Sequence, residues 1–329
     1  MSRYEEADLS RLRTYPVDQR ESKVARGQLY HPPSDLDSFA ASWDSLPDVL
    51  AARELKDLVE RMAQARSAGA GRLLLAGAHV IKTGLAPGFV RLMEEGWITA
   101  VALNGAGAIH DLELAFFGQT SEDVAAQLPE GRFGMAEETS RWLNAWTIEA
   151  ARRGEGLGEG LGREFLDSHA PHAGASLLAS AYRLGIPVTV HLSIGTDINQ
   201  QHPGFDGAAA GEASARDFRI LTHAVASLDS GVAINIGSAV LLPEVFLKAI
   251  SVAINLGATF RDLTTAVFDF QRHYRPMQNV VDRPTRTGGR GYYLVGHHEL
   301  LVPLFIHALL RHGQSAPRDE AQGTLAKDR

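Results

Sequence analysis

Titratable and polar side chains follow the apolar segments of this sequence at several points along the chain. Those at the ends of the predicted strands are His79 and Lys82; Asn104, His110 and Asp111; His191, Ser193, Thr196 and Asp197; Gly237 and Ser238; Asp269; and His297, His298 and Glu299. A histidine next to a carboxylate, such as His110 beside Asp111, can be held in one tautomer and take up a proton near neutral pH. We therefore predict a catalytic site that contains His110, Asp111, Lys82 and His298.

Three kinds of chemistry could use this set, and the residue types alone leave all three open. The small residues Asn104–Gly107 would let a dinucleotide pyrophosphate approach the backbone, although the same residues also suit a plain tight turn. Lys82 could form an imine with a carbonyl compound, or it could contact an anion. Imidazole and carboxylate groups suit zinc or iron. The candidate metal ligands are His79, His110, Asp111, His191 and His298.

The elements that position these residues begin with a strand, loop, helix, strand and loop over residues 72–111. Leu73–Ala76 and Ile98–Leu103 are apolar without polar alternation, which is typical of strands covered on both faces. The segment between them has apolar residues at helical spacing. Parallel strands joined by a helix form a right-handed unit, so both loops leave the carboxyl ends of neighbouring strands, where open α/β sheets bind ligands.

The rest of the chain continues this alternation, which predicts an α/β protein with a doubly wound, mostly parallel sheet of the Rossmann type. Further strands are predicted over 185–190, 231–236, 263–270 and 292–295. Helices are predicted over 45–66, 112–118, 123–128, 136–153, 173–184, 213–227, 244–256 and 300–310. Gly154–Gly162 is rich in glycine and predicts a flexible linker, and Gln271–Arg290 predicts an arginine-rich loop. The predicted organisation is an arm (1–44), one α/β domain (45–312) and a disordered tail (313–329).

Composition excludes several classes of function. The chain has 329 residues, a net charge of −7 and no cysteine, so disulfides, thiolate metal sites and a cysteine nucleophile are excluded. The arginines are scattered, which argues against a nucleic-acid partner. No apolar run approaches the roughly 20 residues of a membrane span. With a charged N-terminal stretch, these features predict a cytoplasmic protein without a secretory leader or a membrane partner.

The order of several short segments over residues 14–310 resembles the deoxyhypusine synthase family. Gly77–Gly84 is similar to the family's Thr-Ser-Asn-Leu-Val-Ser-Ser-Gly loop, and Asn104–Leu112 is similar to its Thr-Ala-Gly-Gly-Val-Glu-Glu-Asp-Leu segment, with Asp111 in register. Further segments that match in order are 14–16, 22–24, 162–164, 185–188, 195–197, 236–240 and 295–303.

The resemblance implies a Rossmann-like fold, NAD as cofactor and a homotetramer with active sites between subunits. The family oxidises spermidine and captures the aminobutyl group on a lysine as an imine. The positions that the resemblance places against NAD are Thr83, Asn104, Gly105, Ala106, Asp197, Gly237, Ser238 and His297.

The chain departs from the family where the polyamine chemistry takes place. The family's Ser-Trp-Gly-Lys motif corresponds to Val281–Arg286, which contains neither Trp nor Lys, and its acidic polyamine-binding segment corresponds to Gln271–Arg275. Arginine and histidine in this place would repel a polycation. We therefore predict an NAD-dependent transferase or oxidoreductase that acts on a small, non-polyamine, anionic substrate. The alternatives are a metal-dependent enzyme and a non-catalytic ligand-binding protein.

Overall fold

A computed structural model describes residues 9–32 and 37–315 of the chain, and its centre is a six-stranded parallel sheet. The strands are β1 (Ser22–Ala25), β2 (Arg72–Ala76), β3 (Ala100–Asn104), β4 (Gln119–Glu122), β5 (Val188–His191), β6 (Val232–Ile236), β7 (Thr264–Asp269) and β8 (Arg290–Val295). The sheet order is β5-β3-β2-β6-β7-β8, whereas β1 and β4 form a separate antiparallel pair. This is the strand order of doubly wound dinucleotide-binding folds, with the topological switch point between β2 and β6. The predicted fold class is confirmed.

Helices cover both faces of the sheet. They are α1 (Asp37–Asp44), α2 (Leu50–Ser67), α3 (Ala78–Lys82), α4 (Ala86–Glu94), α5 (Gly105–Phe117), α6 (Val124–Gln127), α7 (Glu137–Arg153), α8 (Leu157–Asp167), α9 (Leu177–Arg183), α10 (Gly207–Val225), α11 (Leu241–Asn255), α12 (Tyr274–Pro276) and α13 (His298–Ser315). A π-helical segment spans Met277–Asp282, and 3-10 turns span Leu9–Arg11, Val17–Gln19, Arg26–Gln28, Leu128–Glu130, Ala173–Ala175 and Ile198–Gln201. No helix of the described ranges is long and apolar enough to cross a membrane.

The central strands are apolar throughout because their side chains enter two cores. Leu74 and Ala76 contact one core, whereas Leu73 and Leu75 point to the other. The first core lies against α2, α4, α8, α9 and α13, and the second lies against α10 and α11. Successive strand side chains alternate between faces, so a strand buried on both sides has no polar positions. The uninterrupted apolar run at Leu73–Ala76 therefore predicted a central strand correctly.

The predicted linker at Gly154–Gly162 is wrong, because α8 occupies most of it and is buried. Its glycines permit close packing. A Cβ on Gly158 would lie 2.2 Å from the carbonyl oxygen of Val188, and one on Gly160 would lie 2.4 Å from the Cβ of Ala150. The composition indicated flexibility, but these glycines allow a helix to approach β5 and α7 closely.

Four other predicted elements differ from the structure. The loop after β2 contains α3, and the small residues after β3 form the first turn of α5, because the Asn104 side chain accepts a hydrogen bond from Gly107 N–H and caps the helix. The predicted loop Gln271–Arg290 contains α12 and the π-helical segment. Helix α2 begins at Leu50 rather than Ser45.

The N-terminal segment packs on the body of the protein. Strand β1 pairs with β4 in the register Ser22 to Glu122, and Arg20 is buried. The predicted division into arm, domain and tail stays a prediction, because residues 1–8, 33–36 and 316–329 lie outside the described residues.

Candidate functional site

A cavity of about 230 Å³ opens at the carboxyl ends of β3 and β5, beside the first turns of α5. We call it the β3–β5 cavity. The titratable side chains that line it are those of Arg20, Lys82, His110, Glu113, Glu122 and Asp197. Its apolar lining includes Ile109, Val124, Phe133 and Ile198. Of the predicted site residues, His110, Lys82, Asp197 and Ala106 meet here.

His110 is the first member of a chain of hydrogen bonds that runs away from the cavity. Its Nδ1 lies 2.7 Å from the hydroxyl of Thr120, and that hydroxyl donates to the carboxylate of Glu113. Because the single hydroxyl hydrogen of Thr120 goes to Glu113, the Nδ1–H of His110 must donate to Thr120. The neutral ring therefore keeps its lone pair on Nε2, which makes no hydrogen bond to any residue within the described ranges.

The charge state of this chain follows from burial and from one cation. Burial lowers the pKa of His110 to about 4, with Lys82 and Arg20 acting in the same direction and Glu113 opposing them. Burial alone would raise the pKa of Glu113, but the hydrogen bond and charge of Arg20 outweigh it and lower that pKa. At neutral pH a neutral imidazole thus lies beside an ionised carboxylate.

Arg20 and Thr139 hold Glu113 in place. Arg20 Nη1 donates to Glu113 Oε1 at 2.7 Å, and the Thr139 hydroxyl donates to the same oxygen at 3.0 Å. Both partners of the ion pair are buried. These donors fix the orientation of the buried Glu113 carboxylate. The Thr120 hydroxyl, which donates to Glu113, is fixed with it.

The structure separates Asp111 from His110, so the predicted catalytic pair is wrong. Asp111 is buried and accepts hydrogen bonds from the Ser176 hydroxyl at 2.6 Å and from the N–H groups of Leu177 and Leu178 at 3.0 Å each. Burial raises its pKa to about 6, against the effect of those hydrogen bonds. Asp111 thus binds the amino end of α9. Consecutive side chains on a helix point in directions about 100° apart, so His110 and Asp111 on α5 face different parts of the protein.

Asp197 lies on the opposite wall of the cavity, over the start of α5. A Cβ on Gly105 would lie 2.1 Å from Asp197 Oδ2, so the missing side chain of Gly105 makes room for this carboxylate. Gln200 Nε2 donates to the same oxygen at 3.2 Å. Burial raises the pKa of Asp197 to about 6. The predicted ligand approach at Gly105 is therefore filled by a side chain of the protein itself.

Helix α3 connects the β3–β5 cavity with the switch point of the sheet. Lys82, at its end, lines the cavity and forms no ion pair within residues 9–32 and 37–315. His79, near its start, contacts the ring of His298 with centroids 5.2 Å apart. Gly237 has a φ of 66°, and a Cβ built on it would lie 3.4 Å from both His79 and His298.

His298 is buried at the switch point and carries an unsatisfied nitrogen. Its Nε2 donates to the carbonyl oxygen of Phe268 at 3.0 Å, and its Nδ1 has no hydrogen-bond partner among the described residues. A buried polar atom without a partner costs free energy unless a ligand or water supplies one. The crevice between β2 and β6, bounded by His79, Gly237 and His298, therefore suits a polar ligand.

Several residues that the resemblance places against NAD use their side chains in hydrogen bonds within the protein. The Thr83 hydroxyl donates to the His79 carbonyl oxygen, and the Ser238 hydroxyl accepts from Leu242 N–H. The Asn104 side chain caps α5, as described above. His297 is exposed and lies 3.7 Å from Glu299. In the part of the chain that the structure describes, the backbone at Gly237 and the rings of His79 and His298 are the groups left for a ligand at the switch point.

The five candidate metal ligands do not come together. His191 is buried in β5, where its Nε2 lies 3.0 Å from the Thr189 hydroxyl, and burial lowers its pKa to about 4. Asp111 is turned to α9, and His110 lies in the cavity. Among residues 9–32 and 37–315, no group of three or more His, Cys, Asp or Glu side chains could hold a metal ion.

Sequence reasoning missed Arg20, Thr120 and Glu113. Glu113 lies one helical turn after His110, and this i, i+3 spacing places both on one face of α5. That spacing was a usable signal. Arg20 carried no such signal, because it is 93 residues from Glu113 in sequence.

No family model matches the chain, and no curated protein matches it in sequence. In structure it is similar to a candidate LOR/SDH protein from Methanococcus maripaludis S2, with 18% identity over 86% of this chain and 74% of that chain, and a TM-score of 0.51. A candidate deoxyhypusine synthase from Entamoeba histolytica is similar with 10% identity over 91% and 97%, also at a TM-score of 0.51.

A variant of AgrE in a binary complex with L-arginine also matches, with 17% identity, a TM-score of 0.51 and coverage of 81% of this chain. The chain spans 34% of that protein. Identities this low show the fold alone. At that level the resemblance to deoxyhypusine synthase is confirmed.

Proposed function

We propose that this protein is an NAD-dependent enzyme that uses His110 to take a proton from a small substrate in the β3–β5 cavity. The observation that carries the proposal is the hydrogen-bonded chain from His110 through Thr120 to Glu113, held by Arg20. A base whose orientation is fixed by a carboxylate is the arrangement that proton transfer needs.

The switch point supports the choice of cofactor. The strand order is that of dinucleotide-binding sheets, whose ligands bind where the order reverses. There the unsatisfied Nδ1 of buried His298 and the backbone of Gly237 would contact NAD, with His79 beside them. NAD, when bound, supplies the acceptor for a hydride from the substrate. The β3–β5 cavity is too small for the whole dinucleotide, so most of NAD would lie at the switch point. Hydride transfer requires its nicotinamide ring to contact the substrate, at the Lys82 end of α3 that lines the cavity.

The residues of the β3–β5 cavity would accept the proton, stabilise the resulting charge and exclude water. Nε2 of His110 accepts the proton, and the ionised Glu113 stabilises the imidazolium that results. Thr120 keeps the ring in the tautomer that leaves Nε2 free. Apolar side chains such as Phe133 and Ile198 exclude water, which strengthens the polar contacts inside.

A transfer reaction is the second candidate, because Lys82 lines the cavity without an ion pair in the described part of the chain. A lysine in such a place can capture a carbonyl intermediate as an imine. Borohydride reduction in the presence of NAD and substrate would leave a covalent adduct on Lys82 if transfer takes place, and none if the enzyme only oxidises. The homotetramer and the cytoplasmic location implied by the sequence stay predictions.

Calorimetric titration with NAD tests the proposal. We expect one NAD per chain, with at least about tenfold weaker binding in Gly237→Ala. Gly96→Ala is the matched control, because Gly96 has a φ of 68°, close to the 66° of Gly237, and a Cβ there meets nothing within 4 Å. Both changes place alanine at nearly the same positive φ, so a difference in NAD binding points to a ligand at the switch point. Absence of NAD binding to the wild type, or equal binding by both variants, contradicts the proposal.

A further inference from the structure

Two cations of the β3–β5 cavity keep binding capacity that the described residues do not use. Lys82 has no ion pair there. Nη1 of Arg20 donates to Glu113, but its Nη2 is buried without a hydrogen-bond partner among the described residues. Both cations line the same cavity as His110, the proposed base. A buried guanidinium nitrogen and a free ammonium on one cavity are suited to a carboxylate.

The other wall of the cavity offers an acid. Asp197 is buried, and among the described residues its carboxylate accepts one hydrogen bond, from the Gln200 side chain. Glu122 is already engaged, because its carboxylate accepts from Gly134 N–H at 3.0 Å and from the Tyr15 hydroxyl at 3.4 Å. Asp197 is therefore the group with acceptor capacity for a cationic end of a ligand.

The remaining walls and the size of the cavity limit the uncharged part of the ligand. Ile109, Val124, Phe133 and Ile198 are apolar, and the cavity of about 230 Å³ is below the roughly 300–1,000 Å³ of sites for drug-sized ligands. A short aliphatic body meets both conditions.

We infer that the substrate class of the β3–β5 cavity is a small aliphatic amino acid, with its carboxylate on Lys82 and Arg20 and its ammonium on Asp197. This inference rests on the proposed function, for which it names the substrate. It places the amino group on the same wall as the start of α5, within the cavity that His110 lines. In the oxidation, one proton of the substrate ammonium would pass to His110 and the hydride of the adjacent carbon to NAD, which leaves an iminium ion as the product.

Three probes of similar size separate the two charged ends. L-norvaline carries both charges, L-norvalinamide lacks the carboxylate, and valerate lacks the ammonium. Calorimetric titration, with and without NAD, should show L-norvaline binding at least about tenfold more tightly than either of the others, because a partly buried charged hydrogen bond is worth this much.

Three variants assign each charge to its partner. Lys82→Gln should weaken L-norvaline and valerate by at least about tenfold but leave L-norvalinamide unchanged. Lys82→Arg should restore most of that binding. Asp197→Asn should weaken L-norvaline and L-norvalinamide and leave valerate unchanged. Because Lys82 is partly exposed and unpaired in the described structure, its variants should keep the wild-type melting temperature.

The outcomes distinguish this inference from the proposed function. If L-norvaline binds no better than valerate and L-norvalinamide, or if Lys82→Gln binds it as the wild type does, the substrate class is wrong even where NAD binds at one per chain. If L-norvaline binds with the expected pattern while NAD does not bind, the amino-acid site stands and the NAD-dependent enzyme fails.

Discussion

The carboxylate of Asp111 accepts three hydrogen bonds from the amino end of α9, and this contact belongs to stability rather than to catalysis. Replacing Asp111 by Asn removes the acceptor that serves the Ser176 hydroxyl and Leu178 N–H. We expect Asp111→Asn to lower the free energy of unfolding by about 1–3 kcal/mol, the cost of an unsatisfied buried donor. Denaturant unfolding measures this. NAD affinity should not change, and a variant as stable as the wild type would show that the contacts to α9 contribute nothing.

The Thr120 hydroxyl contacts His110, but Thr120 does not line the β3–β5 cavity. NMR can therefore test its role without a known substrate. In the wild type, ¹⁵N shifts should show His110 neutral above about pH 5 and protonated on Nδ1, since burial lowers its pKa to about 4. Thr120→Val removes the hydroxyl that links the ring to Glu113, so the preference for Nδ1–H should disappear. Thr120→Ser keeps the hydroxyl and should restore the wild-type tautomer. An unchanged tautomer in Thr120→Val would remove the hydrogen-bonded chain from the mechanism.

Among the elements, α8 depends on glycines that approach their neighbours more closely than any other residue could. A Cβ on Gly158 would lie 2.2 Å from the carbonyl oxygen of Val188. We expect Gly158→Ala to lose about 1–3 kcal/mol or more of stability, as overpacked sites do. Gly211 in α10 is the control, since a Cβ there meets nothing within 4 Å.

Gly211→Ala should instead stabilise the protein by about 0.5–1 kcal/mol, because alanine forms helix better than glycine. Thermal unfolding of both variants decides the matter. Equal melting temperatures for the two variants would mean that α8 can shift away from β5 at no cost.

A second link between elements is Asp217 of α10, which ties α8 to β5. Its Oδ2 accepts from Gly158 N–H at 2.9 Å and from Val190 N–H at 2.7 Å, whereas Oδ1 has no partner among the described residues. Burial raises its pKa to about 8 from the ordinary 3.8. Between these pH values the native state holds a proton that the unfolded chain has released. The free energy of unfolding should therefore fall as the pH rises towards 8.

Asp217→Asn isolates this effect, because asparagine resembles the protonated acid and does not titrate. The range from pH 6 to pH 8 is the informative one, since the pKa values of Asp111 and Asp197 lie at about 6. Over this range the wild type should lose stability relative to the variant, measured by denaturant unfolding at each pH. Parallel stability curves for the two proteins would contradict a proton on Asp217.

These elements show what sequence alone could and could not predict. Leu73–Ala76 predicted β2 because burial on both faces leaves a continuous apolar run that is visible locally. The glycines of α8 were misinterpreted as a flexible linker. Gly158 is needed because the Val188 backbone packs against it, and local composition carries no information about a contact with a residue 30 positions later. His110 and Lys82 line the β3–β5 cavity, whereas Asp111 is turned to α9, because a position after a strand does not determine the direction of the side chain. The catalytic roles of His110 and Lys82 stay predictions.

For the molecule as a whole, the order of strands determined where ligands could bind, and distant segments determined which ligand. The switch point between β2 and β6 follows from the alternation of strands and helices. The charge of the β3–β5 cavity depends on Arg20, which lies two residues before β1 and is held near the cavity by the pairing of β1 with β4 and by its ion pair with Glu113. A sequence that resembles one family in its strand ends can therefore present a different site.

This difference predicts that the protein does not oxidise spermidine. The β3–β5 cavity has a volume of about 230 Å³, which limits it to small ligands, and Asp197 is the one carboxylate of its described lining with free acceptor capacity, whereas spermidine carries several ammonium groups. The segment Gln271–Arg275, which the resemblance compares with the polyamine site, contains no acidic residue; there Arg275 pairs with Glu244 at 3.3 Å and Arg272 lies over the Tyr293 ring. With NAD and spermidine supplied together, the rate of NADH formation should not exceed the rate without enzyme.

A deoxyhypusine synthase that oxidises spermidine serves as the assay control, and a cooperative thermal unfolding transition shows that the tested protein is folded. Sustained NADH formation from spermidine would mean that neither the charged groups nor the size of the β3–β5 cavity excludes a polyamine.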